Sequence, residues 1–211
     1  MKLMPVVSSL AIAIASLSGL AHATTYTNTG SPGADIFYLN YPNTTSYGEF
    51  FMAPGGVLST FSFKADSGGS GNVLFVVANW DGSKAVGPAL YTSAPISYGG
   101  GPQILGATGI NLSLTTGNNY IAYLTVAGVN SPVSNVNIAG STTNGGLGGA
   151  FRYLNSSGAD PLTQSKAWSD YVVSDMAYTA TFAAAVPEPE TYAMLLAGLA
   201  LTGVAVRRRR A

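Results

Sequence analysis

The chain has 211 residues, with nine basic and nine acidic side chains that leave it formally neutral, and only 9% of it is charged. It holds no cysteine and a single histidine, His22, which excludes disulfides, thiolate metal sites and cysteine nucleophiles. With 26 glycines and 11 prolines among 47% hydrophobic residues, the surface of any fold must be covered by Gly, Ser, Thr and Asn in place of ions.

Residues 1–23 open with Lys2, run apolar from Val6 to Leu20 and finish on Ala21-His22-Ala23. A basic start, a short apolar stretch and a small-x-small end are the parts of a secretory signal peptide, here expected to be helical and cut by signal peptidase after Ala23. Ala21 and Ala23 are the cleavage-site residues. His22 leaves with the leader, so the mature chain from Thr24 has neither His nor Cys.

Residues 24–182 are the expected ectodomain. Up to the linker at 183–186 it carries four bases, Lys64, Lys84, Arg152 and Lys166, against seven acids, Asp35, Glu49, Asp66, Asp81, Asp160, Asp170 and Asp175, hence a net −3. Such a balance offers no basic patch for nucleic acid. Its pattern is that of strands. Ile36 to Tyr41 is the first expected. In Val57 to Lys64, Val57, Phe61 and Phe63 share a face opposite Thr60, Ser62 and Lys64, the alternation of a half-buried strand. Val73 to Ala78 is apolar on both faces, as in a strand covered on two sides or one closing a sandwich. Ala89 to Thr92 follows. Ile110 to Leu114 and Tyr120 to Val126 flank Thr116-Gly117-Asn118-Asn119, which reads as a hairpin because Gly and Asn supply positive φ angles. Further strands are expected at Val133 to Ile138, Ala150 to Leu154 and Met176 to Phe182. Asp160 to Trp168 fits a short helix or a loop equally. Short strands separated by Gly and Asn turns specify an all-β domain, a β-sandwich of jelly-roll type.

Without His or Cys the mature domain cannot build a Ser-His-Asp triad, a Cys-His pair or a histidine metal site. No Ser-x-x-Lys element and no Gly-Lys-Ser/Thr loop is present. A carboxylate glycoside hydrolase would need two acids; Asp170 and Asp175 are the nearest pair in sequence, and solvated acids are the simpler explanation. Asn79-Trp80-Asp81-Gly82-Ser83 is the best-marked turn. Trp80 there is either a stacking platform for a sugar ring, with Asp81 bonding hydroxyls, or a core residue at a strand end with Asp81 capping the turn. Calcium at Asp81 is a further option, since hard oxygen ligands are the only kind available. Tyr26, Tyr38, Tyr41, Tyr47, Tyr91, Tyr98, Trp168 and Tyr171 are placed in or near loops. These are the aromatics from which a glycan contact would be drawn, with Trp80, Asp81, Tyr91 and Trp168 as the first choices.

The C-terminus reads Val186-Pro187-Glu188-Pro189-Glu190, then sixteen uncharged residues to Val206, then Arg207, Arg208, Arg209 and Arg210. Sixteen helical residues reach about 24 Å, short of the roughly 30 Å hydrocarbon core unless the arginines snorkel. The positive-inside rule makes the four arginines a cytoplasmic stop and puts the preceding domain outside.

This end resembles the PEP-CTERM sorting signal: Pro187-Glu188-Pro189, a hydrophobic helix and an arginine cluster, residues 187–211. The resemblance implies that Pro187, Glu188 and Pro189 are recognised by an exosortase, a membrane-embedded cysteine transpeptidase-like enzyme of exopolysaccharide-producing Gram-negative bacteria. The helix would be a temporary anchor in the inner membrane. The segments Val76 to Tyr91 and Leu114 to Leu124 are also similar to ectodomains commonly attached to this signal. The expectation is an exported, non-enzymatic surface or matrix protein without a cofactor, associated with extracellular polysaccharide and biofilm. The alternatives are a dedicated carbohydrate-binding module and a carboxylate-based glycoside hydrolase.

Overall fold

A computed structural model describes residues 22–171, 175–183 and 198. The leader through Ala21, the Pro187-Glu188-Pro189 tripeptide, the apolar segment after it apart from Gly198, and the Arg207 to Arg210 cluster lie outside the described residues. Both expected terminal helices fall there. Among the described residues no helix is long and apolar enough to cross a membrane.

The described residues between 22 and 183 form β-strands and their connections, with one 3₁₀ turn. In chain order the strands are β1 Thr24–Asn28, β2 Ile36–Leu39, β3 Thr44–Met52, β4 Val57–Gly68, β5 Gly71–Trp80, β6 Ala85–Thr92, β7 Ile96–Tyr98, β8 Gln103–Ser113, β9 Asn119–Thr125, β10 Val136–Ile138, β11 Gly140–Ser141, β12 Ala150–Asn155, β13 Asp175–Met176 and β14 Tyr178–Ala183. One sheet runs β1-β14-β4-β10-β2, with β8 on the other side of β4; the second runs β12-β3-β9-β5-β6, with β7 also on β5; β11 and β13 pair separately. Neighbouring strands are antiparallel throughout.

The two sheets close on one aromatic core. Phe61 of β4 meets Phe63 at 5.2 Å, Tyr178 of β14 at 5.5 Å, and, from the opposite sheet, Phe51 at 5.5 Å and Phe75 at 6.0 Å between ring centroids. Burying each such ring is worth about 1.5–3 kcal/mol relative to leaving it in water. No disulfide assists, so this packing must offset the chain entropy.

The run Val73 to Ala78 is covered on two sides. Val73, Phe75 and Val77 enter the main core, while Val76, Ala78 and Trp80 join a second one with Ile121, Tyr123, Leu154 and Trp168 on the outer face of the sheet. The Asp160 to Trp168 stretch roofs that second core. It contains a single 3₁₀ turn, Pro161–Thr163, capped by Asp160 and otherwise irregular.

Three expectations need correction. The alternation puts Val57 on the buried face with Phe61 and Phe63, yet Leu58 is the fully buried residue there. A bulge between Leu58 and Thr60 against β8 shifts the alternation by one. The stretch Leu114 to Asn118 is not a hairpin turn: β8 pairs with β4 and β9 pairs with β3 and β5, so it carries the chain from one sheet to the other. β8 and β9 then contribute to one core from different sheets instead of sharing a hydrogen-bonded ladder. Finally, β3 has no counterpart among the expected strands, because Gly48 and Glu49 interrupt its pattern. A Cβ at Gly48 would lie 2.7 Å from Tyr123 Cβ, so the close approach of β3 to β9 requires glycine.

Candidate functional site

The β5–β6 turn begins with Asp81, whose Oδ1 accepts from Ser83 N at 2.8 Å, Ser83 Oγ at 2.9 Å and Lys84 N at 2.9 Å. The Ser83 amide first, then the Lys84 amide, holds this carboxyl below the ordinary range. Asp81 therefore caps its own turn through Oδ1. Among the described residues no three acidic or histidine side chains converge on a metal site.

Trp80 is buried. Its ring stacks on Phe50 at 5.7 Å and 9°, and Trp168 meets it edge-on at 6.0 Å and 87°. Trp168, also buried, packs on Tyr123 at 5.3 Å, and its backbone N–H donates to Ser83 O at 2.8 Å. Tyr91 is half-buried 6.2 Å from Phe75. Trp80 and Trp168, first choices for sugar stacking, are thus spent on the second core, because the outer face of β5 and β9 is itself apolar and must be covered.

The acids of the expected pair separate. Asp170 is exposed and pairs with Arg152 Nε at 3.0 Å; Arg152 also lies 4.8 Å over the Phe50 ring. Asp175 is buried beside Glu49 of β3, whose place in the chain gives no sign of a partner. Glu49 Oε2 accepts from Met176 N at 2.9 Å, and Asp175 Oδ2 from Gly145 N at 2.6 Å and Asn28 Nδ2 at 3.1 Å. Burial, and then the Asp175 charge, pushes the Glu49 carboxyl well above its usual range. Burial also raises Asp175, but the Gly145 amide and the Asn28 amide oppose it. Both carboxyls are thus pushed toward the neutral form, Glu49 the more strongly. Asp175 Oδ1 is buried with no hydrogen-bond partner among the described residues. Each residue is 1% exposed, so the pair ties β3 to β13 away from solvent.

The open aromatic surface is elsewhere. β2 is the last strand of one sheet and β12 the last of the other, and between them lies a cleft of about 280 Å³. Phe37 and Tyr38 line it from β2, Tyr47 from β3, Phe151, Tyr153 and Asn155 from β12, and Tyr171 from the loop beyond. The Tyr47 hydroxyl donates to Phe37 O, fixing β2 to β3. Burial, reinforced by Tyr171 and Tyr153, pushes that hydroxyl far up from its ordinary pKa. Tyr171 stands edge-on to Phe151 at 6.2 Å and 88° and to Tyr153 at 6.3 Å and 87°. Tyr38 and Tyr171 were among the loop aromatics named from sequence. Tyr26, Tyr47 and Tyr98 from the same group are core or core-packed.

β14 ends at Ala183, hydrogen-bonded between β1 and β4, and the chain then enters its C-terminal segment. The profile of the PEP-CTERM protein-sorting motif matches residues 185–210. The chain carries a PEP-CTERM sorting motif. That motif implies export, exosortase processing and a surface location with transient membrane anchoring, as in Gram-negative bacteria. No curated protein matches the chain. Among solved structures it is similar to a clostridial cysteine protease, Cwp84, after propeptide cleavage, at 15% identity and a TM-score of 0.50, covering 77% of this chain and 40% of that one. A structure of the cysteine protease and lectin-like domains of Cwp84, a surface layer associated protein of Clostridium difficile, matches at 13% identity and TM-score 0.44, over 74% of this chain and 37% of that one. The first likeness is one of fold alone, and the chain spans well under half the length of either.

Proposed function

We propose that this is a non-enzymatic surface or extracellular-matrix protein that an exosortase cuts from its membrane anchor and that associates with exopolysaccharide in a biofilm. The observation that carries this is the sorting motif at residues 185–210, joined almost directly to the central strand β14. Pro187, Glu188 and Pro189 are its recognition residues, and Arg207 to Arg210 its cytoplasmic stop. Signal peptidase acts between Ala23 and Thr24, which begins β1. The ectodomain is a jelly-roll-type sandwich, supported by the way β3, β4, β5 and then β8, β9, β10 alternate between the two sheets. A display role is supported by the lack of His and Cys after His22 and by the burial of the Glu49 and Asp175 carboxyls. Cell fractionation tests it. With an exosortase the chain should move from the membrane to the matrix fraction, and digestion of the polysaccharide should then release it. A chain that stays in the membrane in both strains would contradict it.

A second reading, a dedicated carbohydrate-binding module, is favoured by one specific feature, the exposed aromatic cleft between β2 and β12.

A further inference from the structure

Large hydrophobic side chains exposed among the described residues are six, and four of them are aromatics gathered at one corner: Phe37 at 47%, Tyr38 at 62%, Tyr41 at 52% and Tyr171 at 48%. Phe37, Tyr38 and Tyr171 line the cleft, and Tyr41 lies just past the end of β2. Elsewhere the fold buries such rings with care, even roofing the outer face of β5 and β9 to do so. A concentration of this kind marks a binding surface.

We infer that this cleft is a subsite for an uncharged pyranose unit of a glycan, with Tyr38 and Tyr171 as its stacking platforms. The inference rests on the polysaccharide-associated function proposed above and names where the contact is made. Four features carry it. None of the lining residues is charged. Arg152 stands on the opposite face of β12, since it alternates with Phe151 and Tyr153, and its charge is paired with Asp170. An ionic headgroup would find no counter-charge, whereas a sugar ring has an apolar C–H face and a rim of hydroxyls. Second, the hydroxyls of Tyr38, Tyr153 and Tyr171 make no hydrogen bond to other described residues, and are free to meet that rim.

Third, the platforms are held in place. Tyr171 is braced by two rings at right angles to its own, and those two stack on each other at 6.3 Å and 24°. Tyr41 rests against Gly158, where a Cβ would lie 2.7 Å from its ring and φ is +85°. Fourth, Tyr38 sits at φ +77°, an outlier for a bulky residue, inside a strand whose neighbours are extended. Asparagine takes that conformation more readily, so the fold alone does not call for tyrosine there. The volume, about 280 Å³, lies at the small end of ligand sites and suits one end or one unit of a chain.

The test is calorimetry on the full-length chain in a detergent without sugar, titrated with cellohexaose, maltohexaose, chitohexaose and, as an anionic control, hexaguluronate. At least one neutral hexasaccharide should bind. Tyr171→Ala and Tyr38→Asn should each weaken it about tenfold, the loss of a stacking contact. Tyr38→Asn should do so with no fall in melting temperature, which separates a binding loss from a folding loss. Failure of all three neutral probes would overturn the inference, as would undiminished binding in the double variant or a preference for hexaguluronate. Cleft-dependent dimerisation in place of glycan binding would also overturn it. In cells, equal release of wild type and double variant on polysaccharide digestion would leave the matrix association standing and remove the cleft. Release of neither would remove the association itself.

Discussion

Trp80 and Trp168 meet edge to face with their centroids 6.0 Å apart, one at the end of β5 and the other closing the irregular segment that follows Pro161. That contact decides what the best-marked turn of the chain is for. It pins a loop over the outer face of the second sheet and leaves the turn at Asp81 as a connector.

Trp168→Ala should therefore cost about 3–5 kcal/mol of stability, the usual toll of deleting a buried indole, measured by urea unfolding. Trp168→Phe should cost less, because the Trp168 Nε1 is buried without a hydrogen-bond partner and phenylalanine removes that group along with some volume. Neither change should alter polysaccharide retention per folded molecule. A loss of retention with unchanged stability would restore the indole as a glycan contact.

Phe61 touches four other rings drawn from both sheets, so Phe61→Ala should be among the most damaging single changes, about 3–5 kcal/mol by the same measurement. Ile104, exposed on β8, should tolerate Ile104→Thr with a change within about 0.5 kcal/mol.

The buried acids give a pH dependence with a definite sign. Glu49 has a folded pKa raised above its unfolded value, so the folded state binds the extra proton. Its contribution is fully present below the unfolded carboxyl range, about 4.3, and is lost as pH rises through the raised folded value. Stability should fall with increasing pH over that window, by up to about 1.4 kcal/mol per pH unit. Glu49→Gln, which keeps an acceptor for Met176 N and supplies a donor toward Asp175, should flatten the slope and raise stability at pH 8. Urea titrations from pH 4.5 to 8.5 check it; an unchanged slope would place the pH dependence elsewhere.

The strands legible in the sequence were those whose alternation survives intact. Phe61 and Phe63 on β4, and the doubly apolar run Val73 to Ala78, announce themselves. β3 did not, because Glu49 looks like a surface residue until the fold buries it beside Asp175, far along the chain. Val57, expected on the buried face, yields that place to Leu58 through a bulge, a one-residue event that composition does not encode. The hairpin expected around Thr116-Gly117-Asn118-Asn119 failed for another reason: the same turn chemistry serves a connection between sheets, and only the choice of ladder partner tells them apart. At the site, residue type was a fair guide and exposure was not. Tyrosines at 38 and 171 stay in solvent while both tryptophans go inside, since the larger apolar area gains more from burial.

The central claim is that the ectodomain is cut from its C-terminal anchor at the sorting motif, and intact mass spectrometry of the chain recovered from cells with and without an exosortase tests it most directly. The expected result is a chain beginning at Thr24 in both, which loses the segment bearing Arg207 to Arg210 only when the exosortase is present and keeps it when Pro187 and Glu188 are replaced by alanine. A mass that is identical with and without the exosortase would contradict it.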